Sequence, residues 1–136
     1  MGRVLALDVG DRRIGLALSD PMKIIANPYD TLFRSEIKTD LKALAALIVD
    51  KEVDTIVCGL PKNMNNEESI QTSKTREFIE QLKEYTTVKV IFIDERLTTV
   101  SAQRVLIEGN VRRDKRKNVV DKVAATLILQ SYLGTI

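Results

Sequence analysis

The order of apolar and polar positions divides the chain into alternating strands and helices. From Arg3 to Val9 the residues run almost without a polar break and end on Asp8, the pattern of a strand buried on both faces in the middle of a sheet. Ile14, Leu16 and Leu18 then alternate with small residues up to Ser19, after a short turn bearing Gly10, so the two strands form a hairpin. Asp20-Pro21 ends the second strand, and an extended stretch from about Ile25 to Leu32 carries Pro28, which suits an edge strand. These three segments predict a meander with the Asp8 strand at its inner side.

Beyond Ser35 the period changes. Ile37, Leu41, Leu44, Ala45 and Ile48 fall at helical spacing, predicting an amphipathic helix from Ser35 to about Lys51. Val53–Gly59 reads as a short buried strand, about Glu68 to Tyr85 as a helix burying Phe78, Ile79 and Leu82, and Val88–Ile93 as another strand ending on Asp94-Glu95-Arg96. Thr98 or Thr99 can cap a helix through Glu108, closed by Gly109, and Asn118 is expected to open a last helix to about Leu133. A meander followed by alternating strands and helices gives an α/β fold: a five-stranded mixed sheet with helices on its faces. Right-handed crossovers set the strands after the first two helices parallel to the Asp8 strand. Ligands collect at the carboxyl ends of such strands, where Asp8 and the Asp94-Glu95 pair lie.

Composition narrows the chemistry more than it narrows the fold. The 136 residues, 44% apolar and 29% charged, suit one compact domain with a sizeable core. No apolar run is long enough to span a membrane and no signal-peptide pattern opens the chain, so a cytoplasmic protein is expected. Cys58 is the single cysteine and lies in an apolar run, which excludes an internal disulfide and a thiolate cluster and suits a small buried hydrophobe. The chain has no histidine, which removes histidine-based triads, histidine general bases and histidine-bound zinc. Any metal would be held by oxygen, pointing to carboxylates with Mg²⁺ or Mn²⁺.

Asp8, Glu95 and Asp121 converge if this topology holds. Carboxylates brought so close repel one another unless divalent ions sit between them, and two such ions can hydrolyse a phosphodiester. Each acid also has a plainer reading. Asp8 could accept bonds from the Gly10-Asp11-Arg12 turn, Glu95 could pair with Arg96 at the surface, and Asp121 could close a capping box opened by Asn118.

The net charge of +2 does not by itself imply nucleic acid, but its distribution is uneven. Arg112, Arg113, Lys115, Arg116, Lys117 and Lys122 stand against Asp114 and Asp121 in the segment leading to the last helix. Such a run is often a solvated face; here it is placed to deliver a phosphate backbone to the acids. Arg12 and Arg13 in the first turn, Lys62 and Asn63 after Gly59-Leu60-Pro61, and Arg96 add donors at the same sheet edge. With 4% aromatic residues and no stacking pattern among them, recognition of backbone and shape is expected over recognition of bases.

Leu7-Asp8-Val9-Gly10 with Arg13-Ile14-Gly15, Gly59-Leu60-Pro61-Lys62-Asn63-Met64, Asp94-Glu95-Arg96-Leu97-Thr98-Thr99, and Lys115-Arg116-Lys117 before Val120-Asp121-Lys122-Val123-Ala124-Ala125 together resemble the YqgF/RuvX family in order and spacing. The resemblance runs from about residue 3 to 133. It implies an RNase H-like fold and a single metal-dependent nuclease domain over residues 1–136, with Asp8, Glu95 and Asp121 as catalytic acids and metal ligands. The family is described both as a candidate Holliday-junction resolvase and as a factor trimming the 5′ end of precursor 16S ribosomal RNA. Structured RNA, and branched DNA as the alternative, are therefore the implied partners, and a weak homodimer would suit symmetric junction cutting. Two positions depart from the pattern: Asp11 stands where threonine is common, and Asn66 where glycine is frequent. Two rival classes are an actin-like ATPase lobe, which needs a second lobe that this length does not provide, and a nucleic-acid-binding scaffold with little or no catalysis.

Overall fold

The computed structural model describes residues 2–61, 69–95 and 113–136, with side chains throughout except at 113–121. Five strands form one sheet in the order β3-β2-β1-β4-β5: β1 (Arg3–Val9), β2 (Arg13–Ser19), β3 (Ala26–Phe33), β4 (Val53–Leu60) and β5 (Lys89–Asp94). β1 pairs antiparallel with β2 and parallel with β4; β2 pairs antiparallel with β3, and β4 parallel with β5. The predicted meander and parallel crossovers are both present. The helices among the described residues are α1 (Ile37–Asp50), α2 (Ile70–Leu82) and α3 (Arg113–Leu133).

The alternation of the strands splits the core in two. Leu5, Leu7, Ile14, Leu16, Ile56 and Cys58 face α1 and α2, where Leu41, Leu44, Phe78 and Leu82 meet them. Val4, Ala6, Ala17 and Val57 face the other way and pack on Ala124, Ala125, Ile128 and Leu129 of α3. Alanines on that face let the helix approach closely, and α3 lies across the meander as well as β1 and β4.

β3 is an edge strand. Its register against β2 skips Tyr29, pairing Leu16 with Asp30 and Ala17 with Pro28, so the proline sits at a bulge where no ladder donor is required. The first turn is tight. The Gly10 amide donates to the Arg13 carbonyl at 2.9 Å, and a Cβ on Gly10 would lie 2.8 Å from that oxygen. Two side chains brace this end of β1: Arg34 Nη1 donates to the Gly10 carbonyl at 2.8 Å, and Gln71 Nε2 to the Val9 carbonyl at 3.3 Å.

The last helix starts earlier than the expected Asn118. Residues from Arg113 onward are already helical, so the basic segment occupies the helix's first turns and Asn118-Val119-Val120-Asp121 is no capping box. Lysine and arginine are good helix formers, no Gly or Pro interrupts 113–133, and an asparagine inside a helix costs only a few tenths of a kcal/mol. α2 begins with the capping box of Ser69 and Thr72, one residue past the expected Glu68. The helix expected from Thr98 or Thr99 to Glu108 lies outside the described residues, as does Asn66.

Asp40, 2% exposed in the first turn of α1, ties β3 to that helix. Its Oδ1 accepts from the Ser35 amide at 3.1 Å, and its Oδ2 lies 3.6 Å from Arg34 Nε. Asp40→Ala should strand a largely buried guanidinium and an amide, lowering stability by about 2–4 kcal/mol, read as a lower urea midpoint at unchanged slope.

Candidate active site

The parallel register carries two carboxylates to one edge of the sheet. Leu7 pairs with Cys58 and Gly59 with Ile93, so Asp8 comes beside Gly59, with Glu95 two residues past Gly59's partner. Asp8 continues the Val4-Ala6 row, Gly59 follows Val57, and Glu95 follows Ile93, all on the face that α3 covers. Asp8 is 8% exposed and Glu95 7%. Glu95 is thus buried and does not lie at the surface, while its sequence neighbour Arg96 lies outside the described residues. The Gly10 amide is satisfied by the Arg13 carbonyl, so the first turn closes through its own backbone.

Gly59 makes the juxtaposition possible. A Cβ there would stand 2.9 Å from Glu95 Oε1, 3.1 Å from Glu95 Cγ and 2.6 Å from Ile128 Cδ1. The Glu95 carboxylate therefore lies over a bare patch of β4, with α3 closing the other side. From the sequence alone Gly59 reads as the last residue of a short buried strand. Its signal was a glycine at the end of a fully buried strand, a common mark of close approach.

The two acids share an electrostatic neighbourhood. Burial pushes the Cys58 thiol far above its ordinary range, and the charges of Asp8 and then Glu95 raise it further. Cys58 is fully buried, as expected of an inert thiol. Two buried carboxylates near one another are costly as anions unless a cation joins them, and hard oxygen donors of this kind match a divalent ion. Among the described residues no three metal-ligating side chains come together, so the described donors are Asp8 and Glu95.

Asp121 belongs to α3 and stands three, four and seven residues before Ala124, Ala125 and Ile128, which are buried against the sheet. Its side chain lies outside the described residues, as do those of Arg113, Lys115, Arg116 and Lys117. Lys62, Asn63, Arg96 and Arg112 lie outside them entirely, while Lys122 is half-buried on α3. Arg12 and Arg13 occupy the first turn and the start of β2, next to the Asp8 strand. Asp11, the departure that adds negative charge near the acids, is 3.5 Å from Lys74 Nζ on α2.

A family model described as "RuvX: Holliday junction resolvase" matches residues 2–135. A protein of Clostridium acetobutylicum named "Putative pre-16S rRNA nuclease" is 49% identical over 134 residues, covering 98% of this chain and 99% of the relative. One of the same name from Clostridium tetani is 48% identical, covering 98% and 97%. Among solved structures, T. thermophilus RuvC in complex with a Holliday junction substrate superposes with a TM-score of 0.61 at 12% identity, over 99% of this chain and 98% of that one. The fowlpox virus resolvase with its Holliday junction DNA gives 0.56 at 12% identity, over 98% and 97%. At these identities the likeness is one of fold, the RNase H-like fold that the motifs implied.

Gly59→Ala should displace the Glu95 carboxylate and Ile128 together. The expected result is a loss of about 1–3 kcal/mol in denaturant unfolding and weaker Mn²⁺ binding by titration calorimetry. Cys58 should react with Ellman's reagent only as fast as the protein unfolds, so its rate in native buffer should not rise with thiol-reagent concentration once opening is limiting.

Proposed function

The chain belongs to the RuvX (Holliday junction resolvase) family, and we propose that it is a metal-dependent nuclease acting in the cytoplasm on structured RNA, trimming the 5′ end of precursor 16S ribosomal RNA. The observation that carries this reading is the pair of buried carboxylates at the carboxyl edge of a parallel sheet, Glu95 lying over the bare backbone of Gly59 and Asp8 on the strand beside it. The names of relatives nearly half identical over almost their whole length support the choice of RNA. Residues 1–136 act in this proposal as a single nuclease domain.

Asp8, Glu95 and Asp121 would hold the divalent ions, Mg²⁺ or Mn²⁺, which when bound neutralise the carboxylates and make a water acidic enough to attack phosphorus at neutral pH. The chain's own residues supply position. Asp8 is fixed by a strand paired on both sides, and Glu95 by its seat between Gly59 and Ile128. With no histidine in the chain, no imidazole takes or gives a proton. The basic positions at the start of α3, with Lys122, Lys62, Asn63 and Arg96, hold the phosphate backbone through charge and not through base edges. A second reading is symmetric cutting of a four-way DNA junction by a weak homodimer, in which the junction follows from the family's description as a Holliday junction resolvase.

The test sets a precursor 16S RNA end beside a four-way DNA junction, with Mg²⁺ or Mn²⁺ and with chelator. Asp8→Asn should lower metal-dependent cleavage of the RNA more than about a hundredfold at unchanged thermal stability. Paired symmetric nicks in the junction, with the RNA untouched, would transfer the proposal to the second reading. No cleavage above the Asp8→Asn background on either substrate would leave a binding scaffold.

A further inference from the structure

The tip of the β1-β2-β3 meander carries a surface that the acids do not account for. An open cavity of about 720 Å³ lies there, bounded by Arg12, Arg13, Phe33, Arg34, Lys74 and Phe78 among others. Phe33 ends β3 and is 60% exposed, an uncommon position for a phenylalanine that packs nowhere in the core. It is the direct cross-strand partner of Arg13, two positions beyond the pair made by Gly15 and Thr31. Gly15 is in turn the partner of Asp8, so Arg13 and Phe33 continue Asp8's side of the pleat, two strands across and two residues along. Regular strand spacings put Phe33 about 12 Å from Asp8.

Arg12 leads round to the other side. Its carbonyl accepts from the Arg34 amide at 2.8 Å, beside the cavity that α1 and α2 border. The four cations there are not equivalent. Arg34 is committed to Asp40, to the Gly10 carbonyl and to the Phe78 ring, 4.9 Å from its guanidinium. Lys74 and Asp11 are both more than half exposed and 3.5 Å apart, a weak pair that a phosphate can replace. Arg12 is exposed and has no ion pair among the described residues. An exposed aromatic ring with Arg12 and Lys74 bordering the same cavity is the arrangement that holds a single strand: the ring takes a base and the cations take phosphates.

We propose that Phe33, with Arg12, Arg13 and Lys74, forms a subsite for an unpaired nucleotide next to the scissile bond, so that the preferred substrate carries a single-stranded segment on that side. This rests on the nuclease reading above and specifies its substrate. It also revises the expectation of recognition by backbone alone, because one base is stacked.

The experiment uses the full chain carrying Asp8→Asn, which keeps bound substrate intact. A labelled single-stranded 12-nucleotide RNA and a blunt duplex of the same sequence are titrated by fluorescence anisotropy. Adding Phe33→Ala should weaken single-strand binding about five- to a hundredfold and duplex binding much less, while Phe33→Tyr restores it. Lys74→Ala should make the salt dependence of single-strand binding shallower by about 0.7 in log–log slope for one lost phosphate contact. Equal loss for strand and duplex, or no loss with Phe33→Ala, overturns the subsite, and the second result would leave the exposed ring to a protein partner. The two readings fail separately. A wild-type protein that cuts RNA but binds single strands without Phe33 loses only the subsite, and one that cuts nothing but needs Phe33 to bind loses only the nuclease.

Discussion

Two carboxyl groups held largely out of water at the end of a parallel sheet are the constraint on which the rest of the molecule depends. Asp8 and Glu95 come from strands separated by β4, and the register that lines up β1, β4 and β5 leaves little freedom in where they meet. Every element nearby serves that meeting. β4 contributes a glycine where any side chain would intrude, α3 presents Ile128 to the same spot, and Arg34 and Gln71 secure the carbonyls at the end of β1. Like charges brought together out of water carry a cost that a divalent cation would offset.

The two faces of the sheet divide the labour. The face toward α1 and α2 is filled by large aliphatic side chains and Phe78, and supplies most of the apolar burial. The face toward α3 is made of valine and alanine, thin enough for a helix to lie close and bring its own residues to the acid edge. Side-chain volume is concentrated on the first face and sparse where the helix lies close.

Much of this was legible in the residues, for identifiable reasons. Strands buried on both faces leave continuous apolar runs, and β1, β4 and their order followed from them; the proline in β3 marked an edge, where a bulge accommodates it. Asp8 stood out as the one acid in such a run, and Glu95 as an acid at a strand's carboxyl end. The start of α3 was misplaced because capping is a weak local preference, and a run of lysine and arginine looks the same in a loop and in a helix. Gly59's role depended on what approaches it from Glu95 and Ile128, residues distant in sequence. Phe33 was passed over for a similar reason: its place beside Arg13 exists only in the register of β2 with β3.

The early start of α3 has a mechanical consequence. In a loop, the basic positions from Arg113 onward would be tethered but not aimed. In one helix with Ala124 and Ile128, they are geared to the residues that grip the sheet. From Arg113 to Ala124 is about 16 Å of axis, and each residue advances the phase by about 100°. A single inserted residue between them would leave the charge intact yet turn the whole basic segment by about 100° relative to the residues packed on the sheet. Backbone hydrogen bonds thus set the bearing of the segment proposed to hold phosphate.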